Sequence, residues 1–157
     1  DYSQAGFYFV TICTHKGSCI FGEIVNSEMI LNEFGKIAEK EWYRTVKLRS
    51  NINLGAFVIM PNHIHGIIEI QDRRGTTPRA PTRERFGKPT SNTIPTIIRG
   101  FNSSVTKQIN LLRKLTGVPV WQRNYYEHII RDEISFQQIT EYIRNNPMQW
   151  PDDRYYM

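Results

Sequence analysis

Cysteine is scarce: Cys13 and Cys19 are the only two among 157 residues. Small secreted scaffolds held by disulfides carry more, so the count points to a reduced, cytoplasmic setting. Both cysteines read as small, buried apolar side chains. Long apolar runs are missing as well. None approaches the ~20 residues that a membrane-spanning helix needs, and no signal-peptide pattern is visible. An initiator Met is absent; the chain opens at Asp1 and runs at once into an apolar segment. Residues preceding Asp1 are therefore expected. Acids are nearly missing from one region. Between Arg73 and Lys114 there are ten Lys or Arg residues and one acid, Glu84, while the remainder holds ten basic and fourteen acidic residues. A basic middle in an otherwise acidic chain of net charge +5 points to a polyanionic partner, or to a solvated basic loop with no partner.

What is present suits one domain spanning 1–157, with 39% hydrophobic residues to build a core. Gly6 to Thr14, rich in aromatic and β-branched residues, predicts a strand. Cys19 to Leu31 holds two short apolar runs around Asn26-Ser27-Glu28, the pattern of a hairpin. Asn32 can cap a helix whose apolar face is Phe34, Ile37, Ala38 and Trp42. Asn53 to Met60 and His63 to Ile70 read as strands on either side of Pro61-Asn62. A basic, flexible loop is expected at about 71–95, where four prolines fall. Thr96 to Leu115 predicts a helix, Val118 to Ile130 an extended segment, and Asp132 opens a last helix that Pro147 ends. This order suits an α+β domain: a ferredoxin-like antiparallel sheet with helices packed on one face.

Three segments carry chemistry. In Met60-Pro61-Asn62-His63-Ile64-His65, strand alternation puts His63 and His65 on one face and Ile64 on the other. Two imidazoles so placed can reach one divalent metal, or they are simply partly exposed strand histidines. In Glu141-Tyr142-Ile143-Arg144-Asn145-Asn146-Pro147, Tyr142 and Asn146 lie one helical turn apart. An Asn amide oxygen suits a hard cation, and a phenol held nearby can attack a phosphate. The same residues also serve as a packed aromatic and a helix stop. Trp121 to Arg131 mixes aromatics with Arg123, a pattern that stacks bases and holds phosphates, or packs as a strand with a polar edge. His128 reads as structural or as a support behind the site, since Ile130 continues its face.

Together, Phe7 to Thr14, Met60 to His65, Trp121-Gln122-Arg123 through Arg131, Tyr142-Ile143 and Asn146-Pro147 resemble the single-tyrosine HUH transposases, including the REP-associated tyrosine transposases. The resemblance spans nearly the whole chain. It implies that His63 and His65 are the metal pair, Asn146 the third ligand and Tyr142 the nucleophile, ranked above Tyr125 and Tyr126. Many members of the wider family carry Gln where Asn146 stands. The resemblance implies an Mg²⁺- or Mn²⁺-dependent enzyme that nicks and rejoins single-stranded DNA, often beside a hairpin, through a 5′-phosphotyrosine link. Arg73, Arg74, Arg99, Lys107 and Arg123 are the expected DNA contacts. It leaves open a monomer or a homodimer.

Three other readings compete. One is a domesticated hairpin- or single-strand-binding protein with its chemistry lost; the presence of all four candidate residues argues against decay. Another is a two-histidine RNA or cyclic-phosphate hydrolase, but His15 and His128 form no second His motif. A structural zinc protein is disfavoured because the cysteines do not cluster with the His pair in sequence.

Overall fold

The computed structural model describes residues 5–72 and 93–157. Among the described residues, the strands and α-helices follow in this order: β1 (Gly6–Cys13), β2 (Gly22–Val25), β3 (Glu28–Leu31), α1 (Glu33–Leu48), β4 (Ile52–Met60), β5 (His63–Ile70), α2 (Ile94–Leu112), β6 (Tyr126–Ile130) and α3 (Glu133–Asn145). The basic loop expected at about 71–95 falls mostly in 73–92, outside the described residues, as do Arg73 and Arg74.

β1, β4, β5 and β6 form one antiparallel sheet in the order β4-β5-β1-β6. This is the ferredoxin-like arrangement: the first strand sits between the third and fourth of the four, and β4, reached through α1, lies at the edge. β2 and β3 make a separate hairpin. Its turn residues Asn26 and Ser27 both take positive φ, which matches the twist of the flanking strands.

α1 begins where the Asn32 side chain accepts a hydrogen bond from the Gly35 amide at 2.9 Å. α2 starts at Ile94, two residues before the sequence reading has it. The Thr93 hydroxyl caps it by accepting from the Thr96 amide, and Pro95 is accommodated in its first turn. The expected extended run from Val118 shrinks to β6 and a single bridge between Thr14 and Trp121.

Strand alternation divides the apolar residues between two faces. Tyr8, Val10, Ile12, Ile64 and Ile68 pack with Trp42 of α1 and with Ile97, Ile98, Phe101 and Val105 of α2 in the main core. Gly66 belongs to this face: a Cβ there would overlap the Trp42 ring, so α1 can lie close only because this position is glycine. The other face carries Phe9, Ile67 and Ile130, which pack with Phe136, Ile139 and Ile143 of α3. Two helices thus share one face as expected, while α3 covers the opposite one, where its own Phe136-Ile139-Ile143 stripe needs burial. A register shift in β4 between Leu54 and Phe57 adds a residue, so Leu54 and Phe57 both join the main core while Ala56 and Val58 face α3.

Candidate metal and nucleophile site

Pro61 and Asn62 are the whole connection between β4 and β5, since Met60 pairs directly with His63. They do not interrupt a strand; they turn a hairpin. His63 and His65 then emerge on the α3 face, and the two are 0% and 2% exposed. Their rings lie 4.6 Å apart, centroid to centroid.

Each imidazole is fixed through Nδ1. His63 Nδ1 lies 2.8 Å from Asn62 Oδ1. The Asn62 amide nitrogen donates to the carbonyls of Gly17 (3.1 Å) and Tyr155 (2.7 Å), so its oxygen must be the atom facing His63. His63 therefore carries its hydrogen on Nδ1 and turns the lone pair of Nε2 inward. His65 Nδ1 meets the Thr11 hydroxyl at 2.7 Å. Its Nε2 faces the Tyr142 hydroxyl at 3.4 Å.

α3 brings the remaining residues. Asp132 caps it, its side chain accepting from the Ser135 amide at 2.7 Å. Ile143 is fully buried against the sheet, so Tyr142 and Asn146 flank the buried stripe on the side of the histidines. Asn146 Oδ1 lies 3.4 Å from His63 Nε2. Tyr142 packs its ring 5.2 Å from that of His65, yet remains 39% exposed, so a substrate outside the protein can reach it.

Burial holds both histidines neutral. It pushes His63 down to about 4, against the opposing pull of Asp153 and Asn146. It pushes His65 down to about 3, with His63 adding to the effect. Tyr142 is raised above the ordinary phenol value, first by burial and then by the Asp153 carboxylate; a hydrogen bond from Asn146 and the charge of Arg154 oppose this. At neutral pH, Tyr142 is a phenol facing a neutral imidazole.

The chain after α3 supplies what the sequence reading missed. It turns through Trp150–Asp152 and folds back over His63. The Tyr155 ring lies 4.5 Å from the His63 ring, and Asp153 Oδ2 lies 3.8 Å from His63 Nε2. At that separation and with His63 neutral, the pair is not an ion pair at neutral pH. Arg154 sits over the Tyr155 ring at 5.3 Å and adds a cation beside the site.

The other candidates lie elsewhere. Tyr125 packs on the main core, and Tyr126 is exposed on β6, across Thr11 from His65, with its ring against Phe9. Arg99 and Lys107 are exposed on α2, the helix that covers the opposite face of the sheet. Arg123 is exposed just beyond the Thr14–Trp121 bridge. His128 is exposed on β6, and Cys19 is exposed, not buried.

Among the described residues, no three His, Cys, Asp or Glu side chains are, as placed, already gathered to hold a metal ion. The set here is two imidazoles and an amide oxygen, and it fits a divalent cation by its chemistry. His63 Nε2 and Asn146 Oδ1 are both acceptors, with no hydrogen between them. A cation held at ~2.1 Å with ligand angles near 90–110° spaces its ligand atoms roughly 3.0–3.4 Å apart. The 3.4 Å separation matches. The Nε2 of His65 that would complete the set is the atom Tyr142 now meets, so that contact and cation binding exclude one another.

No family model matches the chain. An uncharacterized protein of Haemophilus influenzae is 44% identical over 162 residues, covering 100% of this chain and 88% of that protein. A protein of the same organism, provisionally named a REP-associated tyrosine transposase, is 24% identical over 152 residues, covering 95% of this chain and 74% of that one. Among solved structures, a REP-associated tyrosine transposase bound to a REP hairpin matches with a TM-score of 0.61 at 17% identity, over 95% of this chain and 70% of that one. The fold is therefore that of the REP-associated tyrosine transposase. No helix among the described residues is long and apolar enough to cross a membrane.

Proposed function

We propose that this chain, which shares a family with the 44%-identical H. influenzae protein, is a REP-associated tyrosine transposase: a metal-dependent enzyme that nicks and rejoins single-stranded DNA beside a hairpin. One observation carries the reading. α3 delivers Tyr142 to His65 and Asn146 to His63, so the candidate nucleophile and the candidate metal set share one site.

His63, His65 and Asn146 would hold Mg²⁺ or Mn²⁺, which when bound supplies charge to polarise the scissile phosphate. The rest is the work of the chain. Thr11 and Asn62 hold the imidazoles in orientation, and burial keeps them neutral. Tyr142 presents its phenol oxygen at the open side of the site. Attack forms the bond from this oxygen to phosphorus and breaks the bond from phosphorus to the 3′ oxygen. The product is a 5′-phosphotyrosine and a free 3′-OH. One phosphate ester replaces another, so a second 3′-OH reverses the reaction without ATP. Because Tyr142 is raised above the ordinary phenol value, its proton must be lost under local electrostatic help. The hairpin-bound structural neighbour and the basic middle of the sequence support a DNA hairpin as partner.

The test is a denaturing gel of single-stranded REP-like hairpins incubated with protein and Mn²⁺. The reading predicts a protein–DNA adduct with wild type, none with Tyr142→Phe and none with chelator, while hairpin binding persists in the variant. Tight binding with no adduct on any of a broad hairpin set would instead identify a binding protein that has lost its chemistry.

A further inference from the structure

Asp153 is used by nothing in the mechanism above, yet its surroundings are those of a ligand. Its side chain is 2% exposed. One oxygen, Oδ1, accepts the Tyr155 amide at 2.8 Å. The other, Oδ2, is buried and has no hydrogen-bond partner among the described residues. An unpaired buried carboxylate oxygen is costly, and such groups are found paired or on metals. The nearest candidate donor, His63 Nε2 at 3.8 Å, carries no hydrogen in the tautomer that Asn62 imposes. Three acceptors thus converge with no proton among them: the His63 lone pair, Asn146 Oδ1 and Asp153 Oδ2. The separation of 3.8 Å is only slightly wider than the spacing of neighbouring ligands on a small divalent cation.

We infer that Asp153, carried in by the segment that folds back after α3, is a fourth protein ligand of the divalent cation and the anionic one. The inference rests on the metal site proposed above. A set of two neutral imidazoles and one neutral amide leaves the whole positive charge of a buried cation uncompensated by protein. Asp153 supplies one negative charge where burial makes it count most. A carboxylate oxygen added to the amide oxygen also tilts the set towards a harder cation.

The test is Mn²⁺ binding to the DNA-free protein, read as loss of the free-ion electron paramagnetic resonance signal. Wild type is compared with Asp153→Asn, which keeps the Oδ1 contact to the Tyr155 amide, and with His63→Ala. The inference predicts that Asp153→Asn weakens Mn²⁺ binding at least tenfold while its melting temperature without metal is unchanged or raised. Binding within about twofold of wild type would overturn the role of Asp153 and leave the metal site standing. Equal binding by His63→Ala, or none by wild type, would overturn the site itself and the inference with it. Anomalous scattering from Mn²⁺-loaded wild-type crystals gives a second answer that needs no variant. The ion must lie within coordination distance of the Asp153 carboxylate; an ion held by the histidines with Asp153 turned away refutes the assignment.

Discussion

His63 and His65 are neutral because they are buried, and this has a consequence that titration can read. In the unfolded chain, both take up protons as pH falls through about 6.5, whereas the folded chain resists until about 4 at His63 and about 3 at His65. Between those limits the unfolded state binds more protons, so stability falls as pH falls, each unit of separation being worth about 1.4 kcal/mol. Urea midpoints measured from pH 7 down to pH 4 should decline, and His65→Gln should flatten the decline. A midpoint independent of pH over that range would mean that the imidazoles titrate normally. The contacts behind the rings can be probed in the same way. Thr11→Val keeps shape but removes the oxygen that orients His65, and Mn²⁺ affinity should drop ~10–100-fold, as it does for partners of metal-bound histidines elsewhere. Unchanged affinity in a calorimetric titration would show that Thr11 only fills space.

At the scale of elements, the site is one strand end, one helix end and one returning segment. α3 is held by Phe136, Ile139 and Ile143 on the sheet. Ile143→Ala should cost ~2–5 kcal/mol by urea denaturation, the usual range for a fully buried aliphatic side chain. It should also impair cleavage under conditions where the variant is still folded, since its neighbour Tyr142 shares the helix. On the other face, Gly66→Ala should cost ~1–3 kcal/mol, because the added methyl meets the Trp42 ring. Period-two alternation made the shared face of His63 and His65 legible, and helical spacing did the same for Tyr142 and Asn146. Local pattern carries no such signal for Asp153, Tyr155 or Asn62. The bond from Asn62 to the Tyr155 carbonyl joins residues 93 apart, and the segment that makes it has only a short 3-10 turn with no periodicity to read. The two-sided packing was hidden for a related reason. An apolar stripe on α3 says that the helix is buried, not on which side of a sheet that is apolar on both faces.

Seen whole, the molecule separates its tasks by face. α1 and α2 close one side of the sheet, and the site and α3 occupy the other. Arg99 and Lys107, selected in sequence because they belong to the basic middle, ride on the closed side. Arg154, in the segment over His63, stands on the site side. Lys107→Glu should therefore leave hairpin cleavage within about twofold of wild type, and Arg154→Glu should weaken binding much more. Charge contacts to phosphate make binding salt-dependent, so the Arg154 variant should also show a shallower fall of affinity with salt, by roughly one unit of log–log slope. Equal effects from both substitutions would mean that DNA wraps both faces. The central claim is that Tyr142 becomes covalently joined to DNA. The most direct measurement is peptide mapping by mass spectrometry after incubation with a cleavable hairpin and Mn²⁺, followed by nuclease trimming. The account predicts a 5′-linked nucleotide on the peptide carrying Tyr142 and on no other. A nucleotide on Tyr125 or Tyr126, or cleavage without any modified tyrosine, would contradict it.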